Sequence, residues 1–324
     1  MLDLDMTPDE QPWLDCAVRM SAAAKRAAAP LYGTAEGRVA LSRGAGGDRT
    51  LEIDRACESA MIEVLEKEAP APWSLVSEEL GIVGPEDAPW RVVIDPLDGS
   101  LNAKHGLEPF GSSIAVAQGP TLADVTVGYI EDYTRPRCFA AVKGAGLVAA
   151  GGPPPGGAAT AAGASGAAGI TSAGAATGAT AAPPATLDLR RFDSDLVELV
   201  FLEAGTPDRH SFDYHDLGAV GTLGQKGDMR IRQIGSLALS LCLVAVGVAD
   251  VLIARVRSRS VDVAAGLLIL AEAGGGAVAL TPEDLMAQPL DLEKRSAFVA
   301  WRAGLDESEM VSRSSELRKT LLGL

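Results

Sequence analysis

The chain has 324 residues, 4% of them aromatic, and sets 28 Lys and Arg against 43 Asp and Glu for a net charge of −15. That length accommodates a sizeable core and about two domains of roughly 100–200 residues. The acidic balance and the shortage of rings argue against direct nucleic-acid binding, because phosphate backbones call for clustered cations and single strands for stacking rings.

In chain order, the first 25 residues carry Asp3, Asp5, Asp9, Glu10 and Asp15 before any long apolar run. That is the reverse of a secretory signal, so a cytoplasmic protein is expected. A helix is predicted over Asp54–Glu68, with Ala56, Ala60, Ile62, Val64 and Leu65 on a packed face and Asp54 as its cap. Strands are predicted at Ser74–Val76, Val92–Ile94, Ser113–Ala117, Val125–Ile130 and Cys138–Val142, forming a mostly antiparallel sheet fronted by helices. Residues 150–186 are almost entirely Ala, Gly, Pro, Ser and Thr, with Ile170 the only bulky side chain. Such a stretch buries too little apolar surface to offset its ordering entropy, so it reads as a linker or surface insertion. It divides the chain into an α+β half, 1–149, and a second half, 187–324.

The second half alternates strands at Leu196–Leu202, Met229–Gln233, Val251–Val256, Ala277–Leu280 and Ala297–Trp301 with helices at Ser236–Val246 and Asp262–Glu272, and a polar helix closes it. That rhythm predicts an α/β domain. The apolar run Ser236–Ala254 contains Gly247 and Asp250 and leads into Arg255, Arg257 and Arg259, which suits a buried helix and strand and not a bilayer span. Cys16, Cys57, Cys138 and Cys242 stand far apart without a C-x-x-C pair, as small buried hydrophobes would in a reducing compartment. His105, His210 and His215 show no metal or triad spacing.

Arg91-Val-Val-Ile-Asp95-Pro96-Leu97-Asp98-Gly99-Ser100 carries the most chemistry. An apolar strand delivers Asp95, Pro96 turns the chain, and Asp98 returns three residues later, so two carboxylates and the Leu97 carbonyl can meet at one point. Hard oxygen donors of this kind suit Mg²⁺. Gly99 and Ser100 add backbone N–H groups able to face a phosphate oxygen. Taken alone, a D-x-x-D reads first as an Asx turn. Likewise, Glu78 and Glu79 in Val76-Ser-Glu-Glu-Leu-Gly81 read alone as a solvated turn, and Asp262 in Ser260-Val-Asp-Val-Ala-Ala-Gly266 as a helix cap.

Together and in this order, S-E-E-x-G, D-P-L-D-G-S and V-D-V-A-A-G resemble the signature blocks of the inositol monophosphatase family, within the lithium-sensitive Mg²⁺-dependent phosphatases. The resemblance extends through Asn102–Val116, with Glu108 as one extra residue, and to Gly235-Ser236, and spans about Asp48 to Trp301 outside the Ala/Gly/Pro segment. It implies a layered αβαβα sandwich with the active site between the halves. It also implies two Mg²⁺ ions, with a third near Glu78 common in the family. Glu78, Asp95 and the Leu97 carbonyl would hold the first ion, and Asp95, Asp98 and Asp262 the second. The nucleophile would be an activated water, oriented by Ser100 and relieved of its proton by Asp54, with Glu78 as a further catalytic carboxylate. Ser100 stands where the family usually has Thr, which keeps the hydroxyl but loses the stiff β-branched rotamer.

Gly99, Ser100, Gly235, Ser236, Arg255 and Asp262 would line the substrate, a small phosphorylated polyol or sugar. Myo-inositol monophosphate is the first reading. Fructose 1,6-bisphosphate and 3′-phosphoadenosine 5′-phosphate are alternatives, because the stretch Asp98-Gly-Ser-Leu-Asn-Ala-Lys-His-Gly106 resembles archaeal-type enzymes acting on both sugar and inositol phosphates. Arg255 stands where animal inositol enzymes have an acidic residue, and its fork suits a second phosphate or a carboxylate. A homodimer is common in the family. Some bacterial members also act as transcription-accessory factors, which keeps a protein-binding module open as a non-enzymatic alternative.

Overall fold

A computed structural model describes residues 9–47, 49–152, 197–203 and 229–322. In chain order it places α1 (Glu10–Ala28), β1 (Ala40–Arg43), β2 (Arg49–Leu51), α2 (Glu52–Glu68), β3 (Trp73–Ser77), β4 (Gly81–Val83), β5 (Trp90–Asp98), α3 (Ser100–His105), β6 (Gly111–Ala117), β7 (Val125–Asp132), β8 (Arg137–Val142) and β9 (Gly146–Gly152). Beyond them come β10 (Leu199–Glu203), β11 (Arg230–Arg232), α4 (Leu237–Ala245), β12 (Val251–Ser258), α5 (Ser260–Glu272), β13 (Gly276–Ala279), β14 (Ser296–Trp301) and α6 (Glu307–Leu322).

Successive strand residues point to opposite faces, and the central strands are apolar on both. Val92, Ile94, Ile114, Val116, Val127 and Tyr129 pack with Trp13, Met20, Cys57, Met61 and Leu65 of α1 and α2. Their neighbours Val93, Ala115, Ile130 and Phe139 face the other way, onto Leu241 of α4 and Val261, Ala265 and Ile269 of α5. The same core takes Phe201, Leu252, Phe298 and Ala300 from the second sheet. The far side of that sheet, with Val200, Val251, Ile253 and Val299, covers Met310 and Leu317 of α6. The result is the expected αβαβα layering, with α4 and α5 as the middle layer shared by both sheets.

The first sheet has seven strands in the order β4-β3-β5-β6-β7-β8-β9, and only the β3–β5 ladder is parallel. The second has the order β11-β10-β12-β14-β13, parallel where β10 meets β11 and β12, antiparallel where β14 meets β12 and β13. The mostly antiparallel first sheet and the mixed α/β second half agree with the sequence reading. All four cysteines are buried and free. Among the described residues no helix is long and apolar enough to cross a membrane.

Two local features depart from the sequence reading. Asp54 is not the cap of α2. The helix begins at Glu52, and Asp54 is the third residue of its first turn, where its Oδ2 accepts the Leu51 N–H at 2.8 Å and satisfies an orphan donor at the helix start. β9 runs into the start of the Ala/Gly/Pro segment, where Ala149 and Ala150 pair opposite Ala140 and Phe139. Residues 153–186 of that segment lie outside the described residues, as do His210 and His215. Helix α1 was not anticipated, although Trp13, Ala17, Met20 and Ala24 recur on one buried face.

Candidate metal centre

The carboxylates that the sequence singles out arrive on rigid supports. Glu78 follows the last residue of β3, and the turn that carries it is held by buried Glu58, whose Oε1 accepts the Ser77 hydroxyl at 2.5 Å and the Leu80 N–H at 2.9 Å. Asp95 lies within β5, opposite Ser113 of β6, and its Oδ1 accepts the Leu97 N–H at 3.0 Å. Asp262 opens α5, where its Oδ2 accepts the Arg259 N–H at 2.7 Å. Gly99 is left-handed, φ +87°, a conformation that glycine adopts without a Cβ penalty, and this turns the chain from β5 straight into α3.

These supports bring oxygens of Glu78, Asp95 and Asp262 within 4.8 Å of one another. Oxygens held at about 2.0–2.1 Å on one octahedral Mg²⁺ stand about 3 Å apart when adjacent and about 4.2 Å when opposite, so this set would have to draw in to share one ion. A cavity of about 230 Å³ opens onto them and is also lined by Arg49, Glu79, Leu97, Asp98, Gly99, Ser100, Leu101, Gly235 and Arg259.

Asp98 borders the cavity but is committed elsewhere. It accepts the Ser236 hydroxyl at 2.5 Å and the N–H groups of Leu237 at 3.2 Å and Ala238 at 2.8 Å, and so caps α4. To serve a second ion it must share an oxygen with that cap. Ser236, expected to touch substrate, is 1% exposed and engages Asp98. Gly235 does line the cavity, held through its N–H by Glu203 and beside Asn102, which donates to the Pro109 and Ile234 carbonyls at 2.8 Å each. Arg255 lies half-buried on β12 and is not among the cavity-lining residues.

No hydrogen bond joins Ser100 to Asp54. Ser100 lines the cavity. The Oδ1 of Asp54 is buried and has no partner among the described residues.

Burial dominates the acidity of the centre. It lifts Glu78 to about 8 against the pull of Arg259, with Asp262 adding to the rise. Asp95 is raised well above the usual carboxylate range by burial and then by Glu78, Asp98 and Asp262. Asp98 rises to about 6, restrained by its bonds from Ser236 and Ala238. Carboxylates crowded into a water-poor site resist ionisation until a cation offsets their charge.

Two contributors escaped the sequence reading. Glu203 ends β10 and accepts the N–H groups of Ile234 and Gly235 and the Ser240 hydroxyl. An apolar strand ending in a carboxylate, the pattern that marks Asp95, was its available signal. Arg259 stands between Glu78 and Asp262, bonded to both. Its sequence neighbourhood shows only a basic strand end.

A carboxylate-lined cleft where the first sheet meets the helical middle layer of an αβαβα sandwich is the architecture of a metal-dependent phosphatase. The model of the inositol monophosphatase family matches residues 9–316, and the chain belongs to that family of phosphoric monoester hydrolases. The chain is 30% identical over 282 residues to the fructose-1,6-bisphosphatase/inositol-1-monophosphatase of Methanothermobacter thermautotrophicus, covering 81% of this chain and 82% of that one. It is 40% identical over 100 residues to the Nus factor SuhB of Pasteurella multocida, 31% of this chain and 36% of that protein. The solved extragenic suppressor protein SuhB of Bartonella henselae has the same fold, with a TM-score of 0.67 at 22% identity over 95% of this chain and 98% of its own.

Proposed function

We propose that this protein is a Mg²⁺-dependent phosphomonoester hydrolase acting on myo-inositol monophosphate. The observation that carries the reading is the convergence of Glu78, Asp95 and Asp262 from three separate elements on one cavity. Glu78, Asp95, the Leu97 carbonyl, Asp98 and Asp262 are the groups that would hold two Mg²⁺. When bound, the ions supply positive charge to the phosphate oxygens and acidify water. The chain's own residues do the rest. Gly99 and Ser100 present polar groups to the phosphate at the cavity wall. Asp54 Oδ1 is an open acceptor on a carboxyl raised to about 7, first by burial, and so is suited to taking a proton near neutrality. The Ser100 hydroxyl would link that acceptor to the cavity.

A second reading, a sugar bisphosphate, has its own support. Arg49 is exposed on the cavity wall with no hydrogen-bond or ion-pair partner among the described residues, and a free guanidinium fork suits a second phosphate. The Methanothermobacter relative, 30% identical over 81% of this chain, carries both activities in its name. Arg255 remains a candidate for the same role from the second half.

The test is phosphate release from inositol 1-phosphate, fructose 1,6-bisphosphate and 3′-phosphoadenosine 5′-phosphate, each with and without Mg²⁺. Turnover on the first, abolished by chelation, is expected. Absence of Mg²⁺-dependent turnover on all three would overturn the reading in favour of a protein-binding role.

A further inference from the structure

We propose that Arg259 is a built-in competitor of the divalent cation, a fixed guanidinium that shares Glu78 and Asp262 with the ion and thereby sets how tightly the centre holds metal. The inference rests on the metal-centre reading above and concerns a residue that reading does not use.

The geometry is specific. Arg259 Nη2 donates to Glu78 Oε1 at 2.5 Å and to Asp262 Oδ1 at 3.1 Å, and its Nε lies 3.3 Å from Asp262 Oδ2. Both carboxylates belong to the three-residue donor set. The three side chains are only 9–15% exposed, so the contact is not a solvent-screened surface pair. The guanidinium is also anchored from behind, where Nη1 donates to the Gly46 carbonyl at 3.3 Å. Gly46 makes room for it, since a Cβ there would stand 2.2 Å from Nη1. The same turn is tied to the centre by the Gly46 N–H on the Glu78 carbonyl at 2.7 Å. The fork therefore rests on a backbone cradle with two of the ligating carboxylates in its grasp. A divalent ion entering the set meets a positive charge a few ångströms away and oxygens that already accept hydrogen bonds. Both effects weaken its binding.

The experiment is calorimetric titration of Mn²⁺ into metal-stripped protein at pH 8, comparing the wild type with Arg259→Met, Arg259→Lys and Asp95→Asn. Arg259→Met keeps much of the buried stem and removes the charge, so its Kd is expected to fall at least about fivefold. Arg259→Lys keeps a charge but cannot span both carboxylates, and its Kd is expected between the two. It also serves as the test variant should Arg259→Met fail to fold. An unchanged or weaker Kd in Arg259→Met, or in Arg259→Lys where it replaces it, overturns the inference. So does a raised KM for phosphomonoester with unaltered Mn²⁺ affinity, which would make Arg259 a substrate contact. A wild type that takes up no Mn²⁺, like Asp95→Asn, overturns the metal-centre reading itself and this inference with it. A wild type that binds while the Arg259 variants do not differ from it overturns only the present one.

Discussion

Asp54→Asn is expected to stabilise the metal-free protein while disabling it. Asp54 is 4% exposed, one of its oxygens has no partner, and burial is the main cause that raises its carboxyl from 3.8 to about 7, with Glu79 and Glu58 adding to the rise against the Leu51 N–H. A carboxyl whose pKa is higher folded than unfolded holds more protons in the folded state. Stability therefore falls as pH rises between the two values, by about 1.4 kcal/mol per unit. Across that window the penalty reaches on the order of 4 kcal/mol at pH 8 and less than half of that at pH 5. Asparagine removes the charge but leaves an amide N–H buried without an assured acceptor, at a cost of about 1–2 kcal/mol. The net expectation is a gain of about 2–3 kcal/mol at pH 8 that shrinks towards zero at pH 5. Urea unfolding in EDTA at the two pH values measures it. Phosphate release should meanwhile drop by about 10²–10⁴, the usual contribution of a positioned proton acceptor. A variant less stable than wild type at pH 8, or one whose stability tracks pH as the wild type's does, would refute the reasoning.

Asp95→Asn should leave the circular dichroism spectrum intact and lower Mg²⁺-dependent phosphate release by at least about 10², and near-normal turnover would contradict the donor set. Arg49→Glu should raise KM for fructose 1,6-bisphosphate more than for inositol 1-phosphate, and equal changes would remove Arg49 from substrate recognition. Arg302→Met should destabilise the chain by about 3–5 kcal/mol in urea. It strands buried Asp250, whose Oδ1 pairs with Arg302 Nε at 2.7 Å while Oδ2 holds the N–H groups of Glu198 and Leu199 at the start of β10. A loss below about 1 kcal/mol would show that those two N–H bonds suffice for the carboxylate.

What the sequence made legible was local. An apolar run closing on a carboxylate located Asp95 on a strand, although that strand runs on to Asp98 with an irregular register instead of ending at a Pro96 turn, and the order of the acidic blocks located Glu78 and Asp262. Short apolar runs such as Val92–Ile94 and Ser113–Ala117 were enough to anticipate a mostly antiparallel sheet, though not that both of its faces are buried. What stayed hidden depends on pairs far apart in the chain. Nothing near Arg259 announces its contact with Gly46, and nothing near Ser236 announces that its hydroxyl faces Asp98 and not a substrate. Asp54 shows the ambiguity at its sharpest. Its residue type and position suited a helix cap as well as a proton acceptor, and the structure gives one oxygen to the backbone while leaving the other open.

The middle helical layer has one more consequence. Glu78 and Asp95 belong to the first sheet, and Asp262 belongs to a helix that the second sheet also packs against. A cation bound by all three is a clasp between stretches of chain that are distant in sequence. By mass action, an ion held by these three would favour the docking of α5 on the first sheet, and a loosening of that docking would weaken its hold. Cation concentration would then act on the cohesion of that sheet and helix as well as on the chemistry.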